Sequence, residues 1–156
     1  MQIQLSKNAD SILSIMLQAF DEYKTDEVPS SALKETVEMI TEEMQNGELA
    51  LIGYIDGQEA AMVRFKIKSD HLYFYRLSVI PEQQGKGLAK ELLLFLEQYA
   101  AQRGILEMRC KVRMNVSRNM KLYESIGYLI IKEGMSSNLS GEELPVATMS
   151  KMIPLD

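Results

Sequence analysis

The sequence predicts a mixed α/β (α+β) fold in a single domain covering residues 1–156, with helices packed on one central sheet. Three observations predict this class. Two amphipathic helical segments come first, and three strand-like segments joined by short turns follow as an antiparallel meander. A turn containing two glycines then leads into an apolar helix and a further strand, which predicts a parallel strand pair with a right-handed crossover.

The N-terminal third alternates in polarity over residues 1–5, which is typical of a short strand, and then becomes helical. Asn8 or Asp10 can cap the first helix. The second helix is predicted to stop at Asn46-Gly47. The predicted apolar faces are Ile12, Met16, Ala19, Phe20 and Tyr23 in the first helix, and Leu33, Val37, Ile40 and Met44 in the second.

The meander begins with a strand from Leu49 to Ile55, which ends at Asp56-Gly57, a pair that tolerates the positive φ of a hairpin turn. The next strand alternates, so we expect it to be half-buried with an outer face formed by Met62, Arg64, Lys66 and Lys68. In the third strand, Leu72 to Val79, one face is predicted to carry Tyr73, Tyr75, Leu77 and Val79.

The second half alternates between helices and strands and shows no internal repeat. An apolar helix begins at Leu88 and ends before Gly104, and a short helix ends before Gly127. The segment from Met135 to Pro145 is polar and is predicted to be a loop. The remaining predicted elements are a strand from Ile105 to Val112, the short helix from about Ser117 to Ile126, and strands from Tyr128 to Lys132 and from Val146 to Ile153.

The turn between the third meander strand and the apolar helix has the chemistry of an anion site. Gly85 and Gly87 leave backbone N–H groups uncovered, and the first N–H groups of the helix have no internal partner. Such a turn suits a diphosphate. The P-loop spacing fails because Gly87 stands where Ser or Thr belongs, and the dinucleotide fingerprint fails because Lys90 replaces its third glycine.

Two stretches resemble motifs of the GNAT superfamily of N-acetyltransferases. Residues 84–89 (Gln-Gly-Lys-Gly-Leu-Ala), after a strand ending Leu-x-Val, are similar to its acetyl-CoA-binding motif. Residues 119–128 resemble the Leu-Tyr-Glu-x-x-Gly-Phe/Tyr segment found downstream in many members. The order β-α-α-β-β-β-α-β-α-β-β is also similar to the GNAT fold and extends over essentially the whole chain. The resemblance implies a central, mixed but mostly antiparallel sheet of about seven strands, about four helices, and a splayed parallel pair at the cofactor site.

The resemblance implies acetyl-CoA or coenzyme A as co-substrate and no metal. The strand edge would bond the pantetheine amides, and the glycine turn would bind the diphosphate. Asn115 and Asn119 are alternative cofactor contacts near the last helix, although either could cap it; Asn115 is the better candidate. The predicted cofactor-binding residues are Leu77, Val79, Gln84, Gly85, Lys86, Gly87, Leu88, Ala89, Lys90, Asn115 and Asn119.

Tyr123 occupies the position where family members place a tyrosine as general acid, so the resemblance implies that it protonates the leaving thiolate. Alternatively, it only packs the short helix on the sheet. The base that accepts the amine proton stays open between Tyr75, Glu107 and the solvent. A backbone N–H near Leu77 could stabilise developing negative charge on the thioester oxygen.

Composition limits the partners. The net charge of −5 argues against nucleic acid, and the longest apolar runs are too short to span a membrane. The single Cys110 excludes an internal disulfide and fits the cytoplasm, and with a single His71 no zinc-type site is expected. A ping-pong route through Cys110 is disfavoured because nothing nearby would activate the thiol.

The expected acceptor is the amine of a small molecule or peptide, bound over the first two helices. The acidic residues there could attract it, although a solvated surface explains them equally well; they are Asp21, Glu22, Asp26 and Glu27. The resemblance leaves a homodimer through the C-terminal strands as an option. The alternative functions are a non-catalytic acyl-CoA-binding or sensing module and the use of another acyl donor.

Overall fold

The computed structural model describes residues 1–21, 31–114, 117–137 and 143–154. The described chain forms four α-helices and seven strands in the predicted order. These are β1 (Gln2–Leu5), α1 (Ala9–Phe20), α2 (Val37–Gln45), β2 (Leu49–Ile55), β3 (Gln58–Ile67), β4 (Leu72–Val79), α3 (Leu88–Ala101), β5 (Glu107–Arg113), α4 (Ser117–Ser125), β6 (Leu129–Ser137) and β7 (Glu143–Met152). No helix in these ranges is long and apolar enough to cross a bilayer.

The strands form one sheet in the order β1-β2-β3-β4-β5-β7-β6. Neighbouring strands are antiparallel except β4 and β5, which are parallel as predicted. Their pairing is confined to Leu72 with Met108 and Tyr73 with Arg109. Beyond Tyr73 the two strands are no longer paired, which confirms the predicted mixed sheet with a splayed parallel pair.

Each face of the sheet is covered by helices. On one face, Leu92, Leu93 and Leu96 of α3 pack against apolar side chains of β3, β4 and β5. On the other, Ile12 and Met16 of α1 pack with residues of α2, β2 and β3. We refer to these as the α3 face and the α1–α2 face.

The predicted caps and turns are present where the local chemistry is strong. The Asn8 side chain accepts a hydrogen bond from the Ser11 N–H at 3.1 Å and begins α1. The β2–β3 hairpin turns at Asp56 and Gly57, which have φ of 50° and 77°. Both values fit the expected positive-φ turn.

The start of α2 differs from the prediction. Leu33 lies in a separate 3-10 helix, Ser31–Lys34, rather than on the face of α2. Thr36 interrupts the helical pattern because its backbone is extended and its hydroxyl accepts from the Met39 N–H at 3.2 Å. A local cap therefore overrides the apolar periodicity. Tyr23, predicted on α1, lies outside the described residues.

The prediction of an exposed basic face on β3 is wrong for the middle of that strand. Met62 and Arg64 are both fully buried, since α1 and the segment before α2 cover them. Arg64 is accommodated because carboxylates from two other segments pair with it. The alternation of apolar and polar residues indicated which side chains of β3 share a face. It did not indicate that helices cover both faces of the sheet.

β4 contains a bulge at Arg76, whose backbone is left-handed with φ of 56°, and its register with β3 shifts there. The extra residue reverses the alternation of side chains. Tyr75 therefore points to the α1–α2 face, whereas Leu77 and Val79 pack on the α3 face. The prediction that these three residues and Tyr73 share one face is wrong for this reason.

β6 and β7 are longer than predicted. β6 continues to Ser137 and β7 begins at Glu143, so much of the predicted 135–145 loop is a paired antiparallel ribbon. Every residue of β6 is exposed, so the strand lacks the alternation by which it could be recognised.

Candidate active site

The diverging ends of β4 and β5 open into a cavity of about 810 Å³. Residues from β4, the glycine turn, α3, β5 and α4 line it, together with the end of α1 and parts of β6 and β7. Ten of the residues predicted for the site are among them: Leu77, Val79, Gln84, Gly85, Gly87, Leu88, Ala89, Lys90, Asn119 and Tyr123.

Two predicted residues are not placed in this lining. Lys86 is exposed, and its Nζ donates to Gln83 Oε1 at 3.0 Å. Asn115 lies outside the described residues, so its predicted contact with the cofactor stays a prediction.

The glycine turn has the backbone that an anion cradle needs. Gly85 and Gly87 have φ of 80° and 79°, and Gly87 is the N-cap of α3 without a side-chain cap. A Cβ at either position would point into open space rather than into protein. The first-turn N–H groups of α3, including that of Leu88, have no intrahelical acceptor. The turn therefore has room and donors for a phosphate group.

From Phe74 onward, the edge of β4 that faces β5 can form backbone hydrogen bonds with a ligand. Within the described ranges no strand pairing joins β4 to β5 beyond Tyr73. The side chains of Leu77 and Val79 pack on the α3 face. Their peptide groups therefore remain at the cavity wall. The Val79 carbonyl already accepts from Gln84 Nε2 at 3.1 Å, which ties the strand end to the glycine turn.

Tyr123 reaches the cavity from α4 and is only 8% exposed. Its ring packs edge-on against Phe74 with centroids 5.9 Å apart, and it lies 5.9 Å from the ring of Tyr128. Aromatic packing thus holds Tyr123 in place from two sides. Tyr128, in contrast, does not belong to the cavity lining and is fully buried.

Cys110 lines the cavity but is poorly suited to be a nucleophile. Its side chain is almost fully buried, and burial strongly raises the pKa of its thiol. At neutral pH the sulfur therefore carries its proton, and the thiolate required for attack is scarce.

Tyr75 lies in the cavity wall, and its hydroxyl contacts a buried carboxylate. Its hydroxyl donates to Glu48, which is buried and also accepts from Arg64 Nε at 2.8 Å. Burial and the hydrogen bond to Glu48 both raise the pKa of Tyr75. A phenolate is disfavoured, so Tyr75 is a hydrogen-bond donor rather than a base.

The same network reaches the segment before α2. Arg64 Nη1 lies 2.9 Å from Glu35 Oε2, and Arg76 Nε lies 3.1 Å from the same oxygen. Glu35 thus joins a buried arginine of β3 to the cavity-lining arginine of the β4 bulge.

Glu107, the other residue considered as a base, is remote from the cavity. It begins β5 at the end opposite the splay, where its carboxylate accepts from Arg109 Nε at 2.6 Å and from the Ser150 hydroxyl at 2.7 Å. The ion pair with Arg109 lowers the pKa of Glu107. Neither its place nor its basicity suits proton abstraction in the cavity.

Charged residues that were not predicted also line the cavity. Within the part of the chain that the structure describes, the cations of the lining are Arg76, Lys90, Lys111, Arg113 and Arg118. Of these five, Lys90 alone follows from the sequence motif. No Asp or Glu side chain lines the cavity within the described residues. Asp21, expected near an amine, is not in the lining, and Glu22, Asp26 and Glu27 lie outside the described ranges.

The fold is that of the GNAT acetyltransferases. The structure is similar to ribosomal-protein-S18-alanine N-acetyltransferase from Escherichia coli, with a TM-score of 0.77 and 19% identity over 99% of this chain and 96% of that one. A probable acetyltransferase from Staphylococcus epidermidis gives a TM-score of 0.80 with 15% identity, covering 98% and 99%. PaiA N-acetyltransferase from Thermoplasma acidophilum, solved in complex with coenzyme A, gives 0.75 with 19% identity, covering 97% and 99%.

Residues 13–128 match the model of the acetyltransferase (GNAT) family. The protein therefore belongs to this family. No curated protein sequence matches the chain significantly.

Proposed function

We propose that the protein transfers an acetyl group from acetyl-CoA to a primary amine of a small molecule or peptide, by direct attack in a ternary complex. The observation that carries this proposal is the joint placement of the glycine turn, the unpaired edge of β4 and Tyr123 around one cavity. A family member with these three parts can bind the donor and protonate its leaving group.

Different residues of the cavity would bind different parts of acetyl-CoA. The N–H groups of the glycine turn and the first turn of α3 would hold the diphosphate, with Lys90 adding positive charge. The peptide groups of Leu77 and Val79 would hold the pantetheine arm in the manner of an added strand. Acetyl-CoA, when bound, would supply a thioester, whose carbonyl carbon is open to attack by a neutral amine.

With Tyr123 as the general acid, every bond and proton of the acetyl transfer is accounted for. The amine nitrogen forms a bond to the acetyl carbon, and the carbon–sulfur bond breaks. The Tyr123 hydroxyl gives its proton to the leaving thiolate. The proton lost by the amine passes to solvent, from which Tyr123 is reprotonated.

Tyr123→Phe tests this assignment because the ring packing against Phe74 is retained. We expect kcat for amine acetylation to fall by about a hundredfold or more, while the affinity for coenzyme A measured by calorimetry stays the same. Tyr128→Phe is the matched control, since it removes a neighbouring buried hydroxyl outside the cavity lining and should leave kcat unchanged.

The assay measures release of the coenzyme A thiol with polyamines, aminoglycosides, amino acids and peptides. Tight coenzyme binding without turnover of any amine would indicate the alternative, a non-catalytic acyl-CoA-binding module. An equal kcat for the native chain and Tyr123→Phe would remove Tyr123 from the mechanism.

We also propose a cytoplasmic location and a homodimer through β6. The single cysteine is a buried free thiol, as expected in a reducing compartment.

The proposed dimer interface is β6, an edge strand with Leu129 71%, Ile131 53% and Met135 61% exposed. Such an edge invites pairing with a second copy. Sedimentation should show a dimer that Ile131→Lys dissociates, and a native monomer would refute the pairing.

A further inference from the structure

The splay between β4 and β5 is closed at its inner end by backbone pairing. Tyr73 and Arg109 are the last paired residues of the two strands. The parallel register places Phe74 opposite Cys110 one step further, and both of these residues line the cavity. We refer to Phe74 and Cys110, together with the closing pair Tyr73–Arg109, as the apex of the cavity. A ligand that lies between the strands cannot extend in line past the apex.

On the α3 face, the apex is bounded by side chains that are packed on several sides. Phe74 is fully buried and Cys110 is only 2% exposed, and both belong to the core cluster of that face. The ring of Phe74 packs edge-on against Tyr123 and Tyr128, with centroids 5.9 and 5.8 Å apart. A close-packed interior resists the insertion of even one extra methylene group. A group that enters the apex must therefore fit the space that these side chains leave.

On the α1–α2 face, two tyrosines of β4 bound the apex. Tyr73 and Tyr75 alternate with Phe74 and therefore lie on the opposite side of the sheet from it. Their rings stack with centroids 6.0 Å apart, and both residues line the cavity. The Tyr75 hydroxyl donates to the buried carboxylate of Glu48, which fixes the outer ring. The apex is thus bounded by packed or hydrogen-bonded side chains on both faces.

The acyl group of a bound donor would lie next to the apex. This step rests on the proposed acetyl transfer, in which the peptide groups of Val79 and Leu77 hold the two amides of the pantetheine arm. The arm from the second amide nitrogen to the sulfur is about as long as one residue of extended backbone. The sulfur would then lie beside Arg76, and the acetyl group would lie beside Tyr75, adjacent to the apex.

From this arrangement we propose that the apex restricts the acyl donor to acetyl-CoA and that Cys110 sets the limit. An acyl chain with further methylene groups would run into Phe74 and Cys110. Phe74 also supports Tyr123, so changing it would disturb the proposed acid. Cys110 has no such second role, because its buried thiol is a poor nucleophile. It is therefore the residue of the apex whose size can be varied independently.

The first test measures binding of the donor without chemistry. The intact chain is titrated in a calorimeter with acetyl-CoA, propionyl-CoA and butyryl-CoA in the absence of any amine. We expect Kd to rise in this order, by about tenfold or more from the acetyl to the butyryl donor. Coenzyme A is the reference, because it has the same diphosphate and pantetheine arm without an acyl group. With an amine that the chain acetylates, kcat/KM for the three donors should fall in the same order.

Two substitutions change the size of the apex in opposite directions. Cys110→Ala removes the sulfur atom and should tighten butyryl-CoA relative to acetyl-CoA by about fivefold. Cys110→Val adds bulk and should weaken acetyl-CoA relative to coenzyme A by about fivefold. Ile105→Val is the matched control, because it removes one carbon from the same core cluster at a residue outside the cavity lining. It should leave the ratios between the donors unchanged.

Three results would overturn the inference. Butyryl-CoA bound by the native chain as tightly as acetyl-CoA would refute the limit on the acyl group while leaving acetyl transfer intact. Unchanged donor ratios in both Cys110 variants would refute the assignment of the limit to this residue. A failure to bind coenzyme A would refute the proposed function and this inference together. In contrast, the expected order of Kd values without acetylation of any amine would support the apex and refute the proposed function alone.

Discussion

Gly87→Ala separates the two consequences of the glycine turn, namely backbone strain and access to the bound anion. The residue has φ of 79°, and an alanine there costs about 1–2 kcal/mol of folding free energy. An added Cβ meets no protein atom within 4 Å, so steric clash within the protein adds nothing. For a chain of this size we expect a decrease in Tm of about 2–8 °C.

The affinity for coenzyme A should fall much further than the strain alone explains. The new methyl group would point into the open side of the turn, where it would hold a phosphate away from the backbone N–H groups. Loss of one hydrogen bond to a charged group costs about 1.5–3 kcal/mol, which corresponds to an increase in Kd of about 10- to 150-fold.

Gly104→Ala is the matched control for this experiment. Gly104 follows α3 with φ of 75°, and an added Cβ there also meets open space. It is not part of the cavity lining. Differential scanning calorimetry should therefore show a similar decrease in Tm for both variants, and titration calorimetry a loss of affinity only for Gly87→Ala. If Gly87→Ala binds coenzyme A as tightly as Gly104→Ala does, the turn does not hold the diphosphate.

Three further predictions concern stability. Tyr128→Phe should raise the free energy of unfolding by about 1 kcal/mol, because the buried hydroxyl has no hydrogen-bond partner within the described residues. A lower free energy of unfolding, measured by urea denaturation, would contradict this. Arg64→Met should cost about 3–5 kcal/mol, since it leaves the buried Glu48 carboxylate without its cation, and a loss below about 1 kcal/mol would contradict the burial argument. The pKa of Glu107 is lowered by Arg109, so its stabilisation is present above the unfolded pKa of about 4.3 and is lost as the pH falls through the lower folded value. Glu107→Gln should therefore flatten the acid limb of stability against pH, and an unchanged limb would refute this.

Strong local chemistry explains which parts of the fold could be predicted. The Asn8 side chain caps α1, and the Asp56-Gly57 turn and Gly87 adopt a positive φ that few other residues tolerate, so these positions could be predicted from the sequence. The parallel crossover followed from the helix between two strands. The resemblance to one family identified the elements that surround the cavity.

Some of the misses arise from interaction between segments distant in the chain. Arg64 is buried because Glu35 and Glu48 fold against it, and neither pairing has a signature in the β3 pattern. The bulge at Arg76 contains no glycine that would mark it. Lys111 and Arg113 could have been noticed, since charged residues alternate along β5. That they line the cavity depends on the side of the sheet on which it opens.

The shared carboxylate of Glu35 links two parts of the molecule through ion pairs. It is held at once by Arg64 in the interior and by Arg76 at the cavity wall. A ligand with a negatively charged group beside Arg76 would compete with Glu35 for the guanidinium. Binding of such a ligand would therefore loosen one of the ionic contacts that hold the segment before α2 against the sheet.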